Sequence, residues 1–375
     1  MGGWQGFVAG WHWLGAALIA TTFAGQASAG TQSRLSQSVS LFGAGAHAAA
    51  LPMSLACSSS KCAAFYVDVE AGNRIGGVLL DALGAPIEAS RVDFGRSNGF
   101  LRVVAVGENF VLAFSDPTAP SGLKVLLLDA GSLGVTRDLS SAEVGRNVRA
   151  MYSDGKTVLL LDSWVDDVAT TIELASGTVI GREAIDHRVE PLVIPGTDQY
   201  LFFYPTYNSF RRLSSLTGAW LGELGSVTPV QLRSVDGGGY FRDGVYQLLW
   251  HPSRSPTGGT DDPLPLLGIR VSAADGKVIE TDGDGKPAPR VLCEDCPASI
   301  QGAFQLGDAN YFWLGPPAGP APQALLKVDP ATGLRSDPTL TAADLTLADS
   351  PAISELSPLV EPRLLSAEGS TYVAN

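Results

Sequence analysis

Apolar and polar positions along this chain alternate in blocks: a short apolar run, a tight polar turn, then a second apolar or aromatic run that closes on aspartate or another polar residue. The stretch Val148 to Asp162, with Ser153-Asp154-Gly155 between two apolar runs, predicts a β-hairpin. The same design returns in Met53 to Asp68, Phe100 to Asp116, Pro191 to Tyr204, Gly239 to His251 and Ile300 to Leu314. Second strands of these hairpins start near residues 63, 110, 157, 200, 245 and 311, so the first four steps measure about 43 to 47 residues. A period of that size marks a four-stranded propeller blade. A second landmark keeps the same period: third strands such as Leu123 to Leu128, Leu266 to Val271 and Gln323 to Val328 run into turns that hold glycine, including Asp129 to Gly134, Ser272 to Gly276 and Asp329 to Gly333. Glycine recurs there because the turn needs a residue at positive φ.

A lone four-stranded unit cannot cover both of its faces, so the copies must stack on one another. Val125 to Leu128 and Val158 to Leu161, apolar at consecutive positions, fit strands covered on both sides. The predicted fold is therefore all-β, a β-propeller of four-stranded antiparallel blades. Its repeats fall at about 51–95, 99–140, 146–186, 189–228, 229–281 and 299–337, with a closing half-repeat at 362–375. Arg34 to Phe42 is expected to supply a last strand to that half-repeat, which gives seven blades, with six as the alternative. Phe65, Tyr66, Phe114, Phe202, Phe203, Trp250, Phe312 and Trp313 fall at corresponding places on second strands and are expected to pack between blades. The period is disturbed late, by Pro252 to Pro265, Thr281 to Pro297 and Pro338 to Pro362. Long inserts in a regular fold are either functional or tolerated surface loops.

These hairpins, with their closing aspartate and the Asp-x-x-Gly turn that follows, resemble bacterial secreted propeller-type repeat proteins over about residues 51 to 337 and the tail. The resemblance implies an architecture and no particular activity, because propellers host unrelated functions. Neither the Gly-His and Trp-Asp pairing of WD repeats nor the paired glycines of kelch repeats is present.

A length of 375 residues allows two ordinary domains or one large repeat fold, and the repeat assigns 30–375 to a single domain. The formal charge of -13 is spread along the chain, which argues against nucleic acid and anionic membranes as partners. The first 33 residues carry no Asp, Glu, Lys or Arg, and the apolar run Trp13 to Ala24 is followed by Ala27-Ser28-Ala29. That order predicts a signal peptide over 1–29 and a secreted, periplasmic or cell-surface location. A retained anchor is the alternative, although the run is shorter than the ~20 apolar residues of a spanning helix. Ser54-Leu55-Ala56-Cys57 offers a lipid-anchor alternative, with Ser where a lipoprotein signal has Leu. No membrane span is expected after cleavage, and the chain is expected to be a monomer.

Four cysteines form two close pairs. Cys57 and Cys62 flank the turn of the first hairpin and should face each other across it, so export predicts a disulfide. Cys293-Glu-Asp-Cys296 has the spacing of half a zinc site, a redox pair or a small structural loop. No histidine pair completes a zinc site and no βαβ setting surrounds a redox pair, so a local disulfide is expected. Glu280, Asp282 and Asp284 resemble the opening of a calcium loop, but Val291 stands where the bidentate glutamate belongs. An acidic solvated turn is the default there, with calcium as the alternative. Asp68, Asp116 and Asp162 close second strands and either line one rim as paired carboxylates, as in glycoside-cleaving propellers, or serve strand-end hydrogen bonding. No serine-hydrolase elbow, zincin helix motif or phosphate-binding glycine loop is present. The expected function is an exported, non-enzymatic binding scaffold for an extracellular protein or glycan, without catalytic residues or a cofactor. The alternative is a carbohydrate-active or other hydrolase that uses the rim carboxylates.

Overall fold

Thr157–Asp162 consists of leucine and β-branched residues apart from its last, and as a strand it buries five of its six positions. It pairs antiparallel with Val148–Ser153, with Ala150 opposite Leu161 and Ser153 opposite Val158. Asp154 sets the turn between them: its Oδ1 accepts from the backbone N–H of Lys156 at 3.0 Å and of Thr157 at 2.8 Å. Short polar side chains fix turns in this way. Val168–Glu173 and Val179–Ala184 then add in antiparallel order and complete a four-stranded sheet.

The structure, a computed structural model, describes residues 17–22, 34–35, 39–40, 50–58, 60–68, 71–81, 85–97, 101–145, 148–162, 167–185, 191–228, 234–252, 264–296, 300–306, 309–314, 324–336, 340–341, 363–367 and 370–374. Among these residues six sheets share the four-stranded order. They run from Ala50–Cys57 to Val92–Arg96, from Leu101–Val106 to Val135–Asp138, from Val148–Ser153 to Val179–Ala184, from Leu192–Pro195 to Trp220–Ser226, from Ser234–Arg242 to Arg290–Cys296, and from Ile300–Leu306 to Leu340–Thr341. In a seventh sheet Arg363–Ala367 pairs with Ser370–Ala374, which pairs with Ala17–Thr22. Arg34–Leu35 and Val39–Ser40 pair with that last strand. Among the described residues helical structure is confined to two single 3-10 turns, Glu88–Ser90 and Pro205–Tyr207, and no helix is long and apolar enough to cross a membrane.

The first strand of each sheet lies against the first strand of the next, and Arg363–Ala367 touches both Ile300–Leu306 and Ala50–Cys57. First strands therefore form a closed circuit, with later strands radiating outward: an all-β, propeller-like arrangement. The core lies between successive sheets. Phe65 of the first sheet meets Phe110 of the second edge-on at 5.8 Å, Phe203 of the fourth meets Trp250 of the fifth at 5.8 Å, and Tyr240 of the fifth meets Phe312 of the sixth at 5.5 Å. Each fully buried aromatic of this kind stabilises by roughly 1.5–3 kcal/mol relative to exposure. Phe65, Phe114, Phe202, Phe203, Trp250 and Phe312 are buried as the sequence predicts. Tyr66 is partly buried, and the side chain of Trp313 lies outside the described residues.

Arginines add polar links between sheets. Arg137 of the second sheet donates to the carbonyl of Ser176 in a turn of the third at 3.0 Å, and Arg212 of the fourth donates to the carbonyl of Ala273 in a turn of the fifth at 2.5 Å. Arg270 of the fifth reaches the carbonyl of Ala331 in a turn of the sixth. Gly276 stands at φ +73°, a conformation that favours glycine, where Arg212 passes close by.

Three details differ from the sequence reading. Arg34–Leu35 and Val39–Ser40 join the tail's sheet as its outer edge, as expected of Arg34 to Phe42, but between them and the tail strand lies Ala17–Thr22. Its apolar and β-branched run suits a central strand better than the serine-interrupted segment that follows it. The fifth sheet extends past residue 281 to Cys296, so most of Thr281 to Pro297 belongs to the connection into its fourth strand, held by bridges Val271 to Val278 and Thr281 to Pro287. The sixth sheet likewise reaches Leu340–Thr341. The leader expected over 1–29 is corrected in part: Ala17–Thr22 is an inner strand of the seventh sheet, paired with the tail strand, and cleavage after Ala29 would remove it. The rest of 1–29 lies outside the described residues, as do 253–263, 338–339 and 342–362 of the other two inserts.

Candidate functional site

Antiparallel order puts the starts of first strands and the ends of second strands at one end of the ring, here called the mouth. Four first strands carry a register shift one or two residues from their start, at Ala50/Met53, Val148/Ala150, Ser234/Asp236 and Ile300/Gly302. A bulge in an otherwise regular ladder re-aims a side chain, and bulges concentrate beside functional sites. Among the residues displaced from the ladder is Arg149. Its neighbour on the adjoining first strand is Arg102, whose Nε donates to the carbonyl of Arg149 at 3.0 Å and whose Nη1 donates to the carbonyl of Leu101 at 2.9 Å. Sequence reading missed both arginines. The available signal was a basic residue just after the start of two successive first strands.

The three aspartates singled out in sequence stand on three different sheets at this end. Asp68 Oδ1 accepts from the N–H of Ala71 at 2.9 Å, and Asp116 Oδ1 accepts from the N–H and hydroxyl of Thr118 at 2.8 and 2.7 Å. Both carboxylates thus cap the turn that follows their own strand. Asp162 packs against Gly145, where a Cβ would overlap its carboxylate. Further out, burial pushes the Asp138 carboxyl up, but the Lys124 ammonium and the hydroxyl and N–H of Ser140 outweigh it and hold its pKa below the ordinary value.

Cys57 and Cys62 face each other in the first hairpin and are joined by a disulfide. Cys293 is also disulfide-bonded, while the side chain of Cys296 lies outside the described residues. The three residues with calcium-loop spacing are not brought together. Glu280 turns inward, its Oε1 on Arg270 Nε and its Oε2 on the Arg270 backbone N–H, both at 2.6 Å. Asp282 Oδ1 accepts from the N–H groups of Asp284 and Lys286 at 2.9 Å, and Asp284 points to the Lys286 ammonium at 3.8 Å. Among the described residues no cluster of three or more His, Cys, Asp or Glu converges as a metal site would require.

The far end of the ring is also knitted together. Lys156 pairs with Asp198 across the third and fourth sheets at 2.6 Å, Ser215 donates to Asp154, and the Tyr200 hydroxyl lies 2.8 Å from that of Thr157. Burial pushes the Tyr200 and Tyr246 phenols well above the ordinary tyrosine value and that of Tyr240 up to about 12.

No protein-family model matches the chain, and no curated protein matches it by sequence. Solved structures with a similar chain path include the Pan2 WD40 domain of Neurospora crassa, 11% identical over 87% of this chain and 88% of that one, with a TM-score of 0.46. Another is a putative 6-phosphogluconolactonase from Bacteroides fragilis, 11% identical over 87% of this chain and 95% of that one, with a TM-score of 0.47. A third is hydrazine synthase of Kuenenia stuttgartiensis, 14% identical over 74% and 77%, with a TM-score of 0.44.

Proposed function

We propose that this chain is an exported seven-bladed β-propeller that acts as a non-enzymatic binding scaffold for an extracellular protein or glycan, with the mouth as its docking face. The circuit of first strands through seven sheets supports the blade count, and the seventh sheet includes Ala17–Thr22, which favours a retained N-terminal segment over cleavage after Ala29. The Cys57–Cys62 disulfide supports an oxidising compartment. The observation that carries the binding role is the placement of the candidate rim acids on three different sheets: Asp68 and Asp116 cap their own turns, and Asp162 packs against Gly145. Paired-carboxylate hydrolysis needs two such groups facing one substrate bond. At the mouth, by contrast, Arg102 is exposed beside the bulge at Arg149, a basic group suited to recognition of acidic ligands, while Arg149 buries its own Nε and Nη2.

The test is a glycan array and a peptide array probed with the full chain purified from a host that exports it. Saturable binding to one ligand class, weakened at least tenfold in R102E, is the expected result. No binding on either array would overturn the reading, and release of new reducing ends from a bound glycan would replace it with the hydrolase.

A further inference from the structure

Sheets that face one another in this ring meet through equivalent positions near the start of their second strands. The facing residues are Ala63 and Phe110 between the first and second sheets, Val111 and Val158 between the second and third, Leu159 and Tyr200 between the third and fourth, and Leu201 and Tyr246 between the fourth and fifth. All are buried and apolar apart from the two phenol hydroxyls, and those reach backbone carbonyls of the preceding sheet, Thr157 at 3.1 Å and Gln199 at 3.4 Å. Between the fifth and sixth sheets the same two positions are Gln247 and Asn310. Two amides face each other where every earlier junction has hydrocarbon or a satisfied tyrosine.

Both amides are sealed from solvent, Gln247 at 1% and Asn310 at 0% exposure. Gln247 Oε1, Asn310 Oδ1, Asn310 Nδ2 and the hydroxyl of Tyr240 have no hydrogen-bond partner of good geometry within the protein, although the Asn310 amide lies near enough to the Tyr240 phenol to offset part of the rise that burial causes. Tyr240 lies directly across the ladder from Gln247, and Arg270 lies across from Gln247 on its other side. Arg270 is already engaged by Glu280 and by the Ala331 carbonyl. The place is made, not left over: Gly268 and Gly333 flank the Gln247 side chain, and a Cβ on Gly333 would stand 2.8 Å from Gln247 Oε1 while one on Gly268 would stand 3.1 Å from its Nε2. Leaving several buried polar atoms unpaired is costly, and native proteins satisfy such groups with internal water that makes about three hydrogen bonds. The set is mixed, since an amide NH₂ donates, two amide oxygens accept and a phenol does either. A water molecule meets that mixture; a cation, beside a guanidinium and an NH₂ donor, does not.

We infer that Tyr240, Gln247 and Asn310 form an internal hydration site that holds ordered water between the fifth and sixth sheets. The water takes the role that the tyrosine hydroxyls fill at the two preceding junctions, tying one sheet to the next through hydrogen bonds instead of an apolar contact. Two measurements test it. A high-resolution crystal structure of the full chain is expected to show at least one fully occupied water bridging the Tyr240 hydroxyl and both amides; direct hydrogen bonds among the three side chains without intervening solvent density would overturn the site. Oxygen-17 relaxation dispersion of water, compared between the native chain and Q247L/N310L, is expected to lose the contribution of about one long-lived water per chain. An unchanged dispersion in a folded double variant would overturn it as well, and the native crystal structure decides the matter should that variant not fold.

Discussion

Glu280 illustrates how single residues here serve the ring before anything else. Its carboxylate is held between the side chain and backbone N–H of Arg270, with side-chain exposures of 4% and 15% for the two partners. Removing one partner of a buried pair leaves a charge without its counter-ion. Glu280→Gln is therefore expected to destabilise the chain by about 3 kcal/mol, measured as a lower urea midpoint at unchanged m-value. A variant within about 0.5 kcal/mol of the native chain would show that solvent screens the pair. In sequence this glutamate opened an acidic run with calcium-loop spacing. Spacing along a chain could not reveal that Arg270, ten residues earlier in the fifth sheet, would claim both oxygens.

Hairpins are the elements from which the molecule is made, and they were legible because their turns are written in local chemistry. Ser153-Asp154-Gly155 and Gly107-Glu108 each join two apolar runs, and both became tight turns between paired strands. Bulges at the starts of first strands were not legible, since an extra residue in one strand shows only against the register of its partner. Cys57 and Cys62 are a case where local spacing sufficed: five positions apart and flanking a turn, they become opposed residues joined by a disulfide. That closure restricts the unfolded chain only over a short loop, so C57A/C62A is expected to cost about 2 kcal/mol on the loop-entropy estimate. Calorimetry of the oxidised chain and the double variant would check this, and equal melting temperatures would show that the hairpin forms as readily without the bond.

At the scale of the whole molecule, pH should act on the ring from both sides. Asp93 and Asp138 lie below the ordinary value because ion pairs with Arg74 and Lys124 and local hydrogen bonds outweigh their burial, while Asp329 is lowered chiefly by the Ala331 N–H. Depressed carboxyls contribute stability above their unfolded pKa, and that contribution is lost as pH falls through the folded values, so acid should lower the melting temperature below about pH 4. The three buried tyrosines work in the opposite sense. Their raised values mean that stability is fully present below about pH 10 and is lost as pH rises through the folded pKa, about 12 for Tyr240. Melting curves from pH 3 to 11.5, with phenolate absorbance followed at the alkaline end, are expected to show a broad plateau and two falling limbs. Tyrosine ionisation well ahead of unfolding would contradict the burial that raises these groups. The sequence by itself determined the strands, the turns, the period and the need of each sheet for a neighbour, because these follow from apolar blocks and turn residues within about 45 positions of one another. Tertiary structure decided which strand lies beside the tail, which carboxylates are committed to turns or to Arg270, and that Gln247 and Asn310 fall at one junction between sheets. Those outcomes depend on sheets brought together by ring closure, where the partner of a side chain lies a full repeat or more away and its identity is set by geometry that no local pattern encodes.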